Sequence, residues 1–126
     1  MAIAHATNSG NAGPDANYPV VVDFVTESGA ANILGLRVQC ESRVTTGPRP
    51  VRFGLYNWTT QSWVYFNQQA ETTDTMQEIN TLNNHSQFVN PTTLEVKFRV
   101  MYKGIEGESP WNANIDQVRF HITRQQ

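Results

Sequence analysis

The hydrophobic positions of this chain recur with period two almost throughout, the spacing of strands that bury one face. "YPVVVDFVTE" (Tyr18 to Glu27) opens the pattern. "ILGLRVQCESR" continues it, with Leu34, Leu36, Val38 and Cys40 expected on a buried face and Arg37, Gln39 and Glu41 on the outer one. "TTGPRP" (Thr45 to Pro50) reads as a turn, because Gly47 and two prolines interrupt a ladder. In "VRFGLYNW", Val51, Phe53 and Leu55 share one face and Arg52, Gly54, Tyr56 and Trp58 the other. Thr72 to Leu82 is ambiguous between a strand and an irregular crossing, and Asn83 to Thr93 reads as loop. "LEVKFRVMYK" turns Leu94, Val96, Phe98, Val100 and Tyr102 inward and Glu95, Lys97, Arg99 and Lys103 outward. "IDQVRFHIT" closes the chain with Val118, Phe120 and Ile122 inward, and its unbroken alternation predicts a place against a central strand. No helical period and no internal repeat compete with this reading. The predicted fold is all-β, an antiparallel, jelly-roll-like β-sandwich of seven to eight strands, with a closed barrel as the alternative. Residues 18–126 form the domain, and residues 1–17 read as a flexible arm or linker.

The chain has 126 residues, enough for one core without disulfides or a structural metal. A formal charge of −2 and scattered basic residues argue against nucleic acid. No apolar run approaches a membrane span, and the first residues lack the basic start and apolar middle of a secretory signal, so a domain cut from a larger exported protein is one expectation. The single cysteine, Cys40, reads as an apolar core filler.

The aromatic residues gather in "YNWTTQSWVYFN". If Val51 to Trp58 and Ser62 to Asn67 pair as a hairpin through "TTQS", Trp58 faces Trp63 and Tyr56 faces Tyr65 across the ribbon, with Val64 and Phe66 on the core side. Tyr56, Trp58, Trp63 and Tyr65 then project together from the outer face. Flat apolar rings with polar edges stack on the C–H face of a sugar while neighbouring side chains bond its hydroxyls. Arg52, Asn67 and Gln68 are candidate polar neighbours, and Trp111 in "ESPWNAN" completes the set if its loop folds over the same edge. Two other readings stand beside the platform: cross-strand aromatic pairs that stabilise an edge, and a contact with a neighbouring domain or subunit.

Motifs of catalysis are missing. There is no G-x-S-x-G elbow, phosphate loop, H-E-x-x-H or cysteine pair with zinc spacing. His5, His85 and His121 are far apart, and His121 is expected outward in solvent. Glu41 and Glu95 read as surface partners of Arg37, Lys97 and Arg99 rather than as a catalytic pair. No cofactor is implied. An oxygen-rich calcium site from Asp15, Glu108, Asn112, Asn114 and Asp116 is the one metal candidate, without a calcium-loop motif behind it. Asn57 and Asn84 begin glycosylation sequons.

"FGLYNWTTQSWVYFN", "FVNPTTLEVKFRVMYKG" and "WNANIDQVRFHIT" resemble a poorly characterised β-sandwich domain near the C-termini of large secreted bacterial proteins of planctomycete type, covering Tyr18 to Thr123. The resemblance implies a galactose-binding-like or carbohydrate-module layout and an accessory, non-catalytic role. The expectation is therefore an extracellular or cell-surface module for binding or adhesion, not an enzyme, with a glycan as partner. Its rival is a self-assembling structural subunit of a filament, surface layer or virion decoration, in which the arm and the aromatic face contact neighbouring copies. A hydrolase ranks third.

Overall fold

The computed structural model describes residues 4–6, 18, 20–104 and 111–124. Its strands are β1 (Ala4–Ala6), β2 (Val20–Glu27), β3 (Ile33–Val44), β4 (Arg49–Asn57), β5 (Ser62–Ala70), β6 (Thr75–Asn80), β7 (Glu95–Tyr102) and β8 (Ala113–Arg124). They form two four-stranded antiparallel sheets ordered β1-β8-β3-β6 and β2-β7-β4-β5. The β-sandwich expected from the period-two pattern is the observed architecture. As expected, β8 lies against a central strand, β3, and pairs with it along nearly its whole length; β8 is itself interior to its sheet, with β1 on its other side. The ambiguous segment after Thr72 resolves as β6, an edge strand. Within the leader read as an arm, Ala4–Ala6 extend the first sheet by pairing with the start of β8, and residues 7–17 lie outside the described residues.

The two inner faces meet in a core centred on aromatic rings. Phe98 of β7 is fully buried and packs against Phe24 at 6.3 Å, Phe53 at 5.4 Å and Phe120 at 6.1 Å between centroids. Val38, Val51, Val96 and Val100 fill the space around these rings, and branched residues suit that pleated surface. One end of the sandwich is plugged by a short 3-10 helix, His85–Phe88, in the stretch expected to be plain loop. Phe88 and Val89 are buried there, which is how an apolar pair in a polar segment is accommodated.

Three details depart from simple alternation. Leu34, expected inward, is 59% exposed because a β-bulge between Ile33 and Gly35 re-aims it and gives its core place to Ile33. The register of β3 against β8 shifts again between Glu41 and Ser42, so Ile115 also turns inward, on the opposite strand parity to Val118. β4 begins at Arg49 rather than Val51, with Pro50 opposite Gln69 near the strand's start, where a missing N–H costs least.

Cys40 is buried in this core, as its place in the pattern predicts. Burial pushes its thiol up to about 12, with the Ser42 hydrogen bond pulling the other way and the Glu41 charge adding to the rise. Because the folded value is raised, the contribution to stability is complete below the unfolded value near 9 and is lost as pH climbs towards 12. Urea unfolding is expected to weaken by up to about 1.4 kcal/mol per pH unit across that window, a slope reduced in Cys40→Ala. At pH 8 the native thiol should remain unreactive to a disulfide reagent until urea is added.

Candidate functional site: an aromatic and cationic sheet face

The outer face of the β2-β7-β4-β5 sheet carries the aromatic cluster. β4 and β5 pair as the expected hairpin, but Tyr56 lies opposite Trp63 and Tyr65 opposite Gly54, one pleat from the expected pairing. The loop is four residues long as anticipated, yet it runs from Trp58 to Gln61 and is closed by Asn57 opposite Ser62. The cause lies at the loop itself. Asn57 Oδ1 accepts from the backbone N–H groups of Thr59 (2.9 Å) and Thr60 (3.0 Å), a side-chain turn that fixes where the chain reverses. Gln61 takes the left-handed position at φ 56°. A shift by two residues preserves facing, so Tyr56, Trp63 and Tyr65 still share the outer face, and Trp58, now the first loop residue, stays beside them through its contacts with Tyr56 and Lys97. All four are partly exposed.

Tyr56 is the hinge of the cluster, edge-on to Trp58 at 4.8 Å and to Trp63 at 5.3 Å. Gly54 makes the close fit achievable. A Cβ there would stand 3.0 Å from the Tyr65 ring and 3.2 Å from Trp63, so both rings of β5 lean across β4 where it has no side chain. Gly54→Ala is therefore expected to displace the rings and alter tryptophan fluorescence. Its urea midpoint should stay close to the parent, since alanine suits a strand interior better than glycine by about 0.5–1 kcal/mol.

Cations from neighbouring strands lie against the rings. The Arg99 guanidinium is 4.0 Å from the Trp63 centroid and is held by Asp23 through two hydrogen bonds of 2.8 and 3.0 Å. The Asp23 hydrogen bond, foremost, keeps Arg99 protonated beyond its ordinary range. Its side chain is only 16% exposed, with the Trp63 ring against the guanidinium, and Trp63 itself is partly exposed. Lys97 Nζ sits 5.1 Å from the Trp58 ring and 5.9 Å from Tyr56. Arg52, opposite Asn67, lies over the Tyr18 ring at 4.5 Å.

Of the residues expected at this site, Tyr56, Trp58, Trp63, Tyr65, Arg52 and Asn67 share the face. Gln68 does not: it pairs with core-facing Val51 and follows that strand parity to the inner side. Trp111 does not either. It packs on Tyr102 and under the Arg49 guanidinium (3.6 Å) at the opposite end of β4, about 23 Å from Tyr56 along the strand. Asp23, Gly54, Lys97 and Arg99 were not anticipated as site residues. Alternation already turned Lys97 and Arg99 outward, but it could not show which neighbours they meet. Arg99 pairs with Asp23 and Arg37 with Glu78, not with Glu41 or Glu95. His121 faces outward as expected and bonds Gln39 at 2.9 Å.

Among the described residues no group of three or more His, Cys, Asp or Glu side chains could hold a metal ion, and Asp15 and Glu108 of the calcium candidate lie outside those residues. Nor is any helix of the described residues long and apolar enough to cross a membrane. Asn57 is buried and bonds Gln87 Oε1 at 2.9 Å, so its sequon asparagine serves the hairpin turn, whereas Asn84 is exposed.

No protein-family model matches the chain, and no curated protein matches it by sequence. Two carbohydrate-binding modules are similar in structure. TmCBM61, solved in complex with beta-1,4-galactotriose, has a TM-score of 0.53 at 12% identity, over 95% of this chain and 81% of that one. A CBM36 module, solved with calcium and xylotriose, has a TM-score of 0.47 at 15% identity, over 82% and 75%. The chain thus has a β-sandwich fold like that of a carbohydrate-binding module.

Proposed function

We propose that this chain is a non-catalytic carbohydrate-binding domain of an exported protein, and that it holds its glycan on the outer face of the β2-β7-β4-β5 sheet. The observation that carries the reading is the ring set Tyr56, Trp58 and Trp63, partly open to solvent on a sheet face and fixed from beneath by Arg99 and Asp23. Rings held in advance lose little freedom when a sugar stacks on them, which is where a binding module gains affinity. Asn67, Arg52 and Lys97 at the margins supply donors for hydroxyl groups. The likeness to TmCBM61, a galactotriose binder, supports a glycan over a protein ligand. Adhesion of the parent protein to a polysaccharide matrix is the role such a domain would play.

The test is native gel electrophoresis through soluble neutral polysaccharides: galactan, xylan, glucan and mannan. Retardation in at least one is expected. Migration unchanged in all of them, together with a concentration-dependent increase in mass by light scattering, would instead favour a subunit that uses this face for assembly.

A further inference from the structure

Beside the hairpin tip a groove of about 510 Å³ opens at the end of the sandwich, lined by Ile33, Leu34, Thr59, Asn84, His85 and Gln87 among others. Its size falls in the range of about 300–1,000 Å³ usual for small-ligand sites. Thr59, which follows Trp58 in the hairpin loop, and Gln87, which bonds the Trp58 backbone, both line the groove, so its rim lies next to the last residue of the aromatic cluster. The two are also tied together rigidly: Trp58 N–H donates to the Gln87 carbonyl at 2.8 Å and Asn57 Nδ2 to Gln87 Oε1 at 2.9 Å.

The groove combines apolar and polar side chains. The bulge in β3 has turned Leu34 out to form an apolar lip. The Thr81 hydroxyl lies 3.2 Å from the Leu36 carbonyl and against His85 Nδ1, which fixes the imidazole at the groove wall. His85 Nε2, the Thr59 hydroxyl, the Asn84 side-chain amide and Gln87 Nε2 take no hydrogen-bond partner among the described residues. Among the described residues no Lys, Arg, Asp or Glu lines the groove. A smaller groove on the other sheet, about 350 Å³ beside Arg37, Asn80 and His121, differs in that its polar groups already bond Glu78 and Gln39.

We infer that this groove is a second subsite for a neutral oligosaccharide, continuous with the aromatic face, so that the domain binds the interior of a chain several sugars long rather than a single terminal unit. An apolar lip beside uncharged donors and acceptors suits pyranose units and gives no compensation for a uronate carboxylate.

The inference rests on the carbohydrate reading above, and calorimetry with oligosaccharides of two to six units, cut from whichever polysaccharide retards the domain, separates the two. Affinity should rise at least fivefold between three and six units in the parent. Leu34→Ala and Thr59→Val should each remove most of that rise while leaving the affinity for the shortest binding oligosaccharide unchanged. Leu34 is exposed and both substitutions are conservative in volume or polarity, and circular dichroism confirms that they fold. Affinity independent of length, or a rise that survives in both variants, overturns the groove and leaves the aromatic face standing. Absence of any retardation overturns both.

Discussion

Trp63→Ala is expected to weaken glycan binding tenfold or more, about 1.4 kcal/mol, while the domain stays folded. Trp63 meets its surroundings through Tyr56, the Arg99 guanidinium and the bare backbone of Gly54, and is partly exposed. Removing it therefore deletes the stacking surface and one wall of the cluster at once. The cost to folding should be small. A cross-strand aromatic pair contributes roughly 0.2–1 kcal/mol and a partly exposed cation–π contact about 0.5–1 kcal/mol. Arg99 retains its two bonds to Asp23 in the variant, so no buried charge is stranded. Affinity electrophoresis and urea titration of the same preparation check both halves. A variant that binds as the parent does removes the aromatic face from the site, and Met76→Ala on the other sheet serves as the unaffected control.

The largest effect on stability should come from Phe98→Ala. Phe98 has no exposed surface and touches Phe24, Phe53 and Phe120, drawn from β2, β4 and β8, so it links both sheets. Truncating a buried phenylalanine costs roughly 3–5 kcal/mol, because transfer energy is lost and the cavity closes only in part. Domains of this kind have about 5–15 kcal/mol in all. The urea midpoint should fall accordingly with little change in slope. A loss below about 1 kcal/mol would mean that the two sheets do not pack through these rings. Because Phe98 alternates with Lys97 and Arg99 on β7, the variant should bind glycan normally at temperatures where it remains folded.

The course of β7 illustrates how much the sequence can reveal. Its alternation from Glu95 to Tyr102 is unbroken, so the inward set and the outward cations follow from the pleat alone. The same arithmetic placed Tyr56, Trp58, Trp63 and Tyr65 on one side of a hairpin, and a slip of two residues could not change that. Where one residue is inserted, as at the bulge before Gly35, the arithmetic fails: Leu34 exchanges places with Ile33, and the one local signal in "NILGLR" is Gly35, a residue type that often marks a bulge without fixing which neighbour it re-aims. The Asn57 turn is a similar case, legible in principle from an asparagine before "WTT" but competing there with a loop one step later.

What the sequence determined by itself is thus facing: which side chains share a side of each strand, and so the all-β class and the outward aromatic ribbon, because the pleat repeats every two residues whatever the neighbours are. What only the tertiary structure decided is adjacency. Asp23 and Arg99 are 76 positions apart in the chain, and Thr59 and Gln87 line one groove although they belong to different connections. Such meetings depend on strand order and on where the sheets stop, which are set by the packing of the whole core around Phe98 and not by any short stretch of residues.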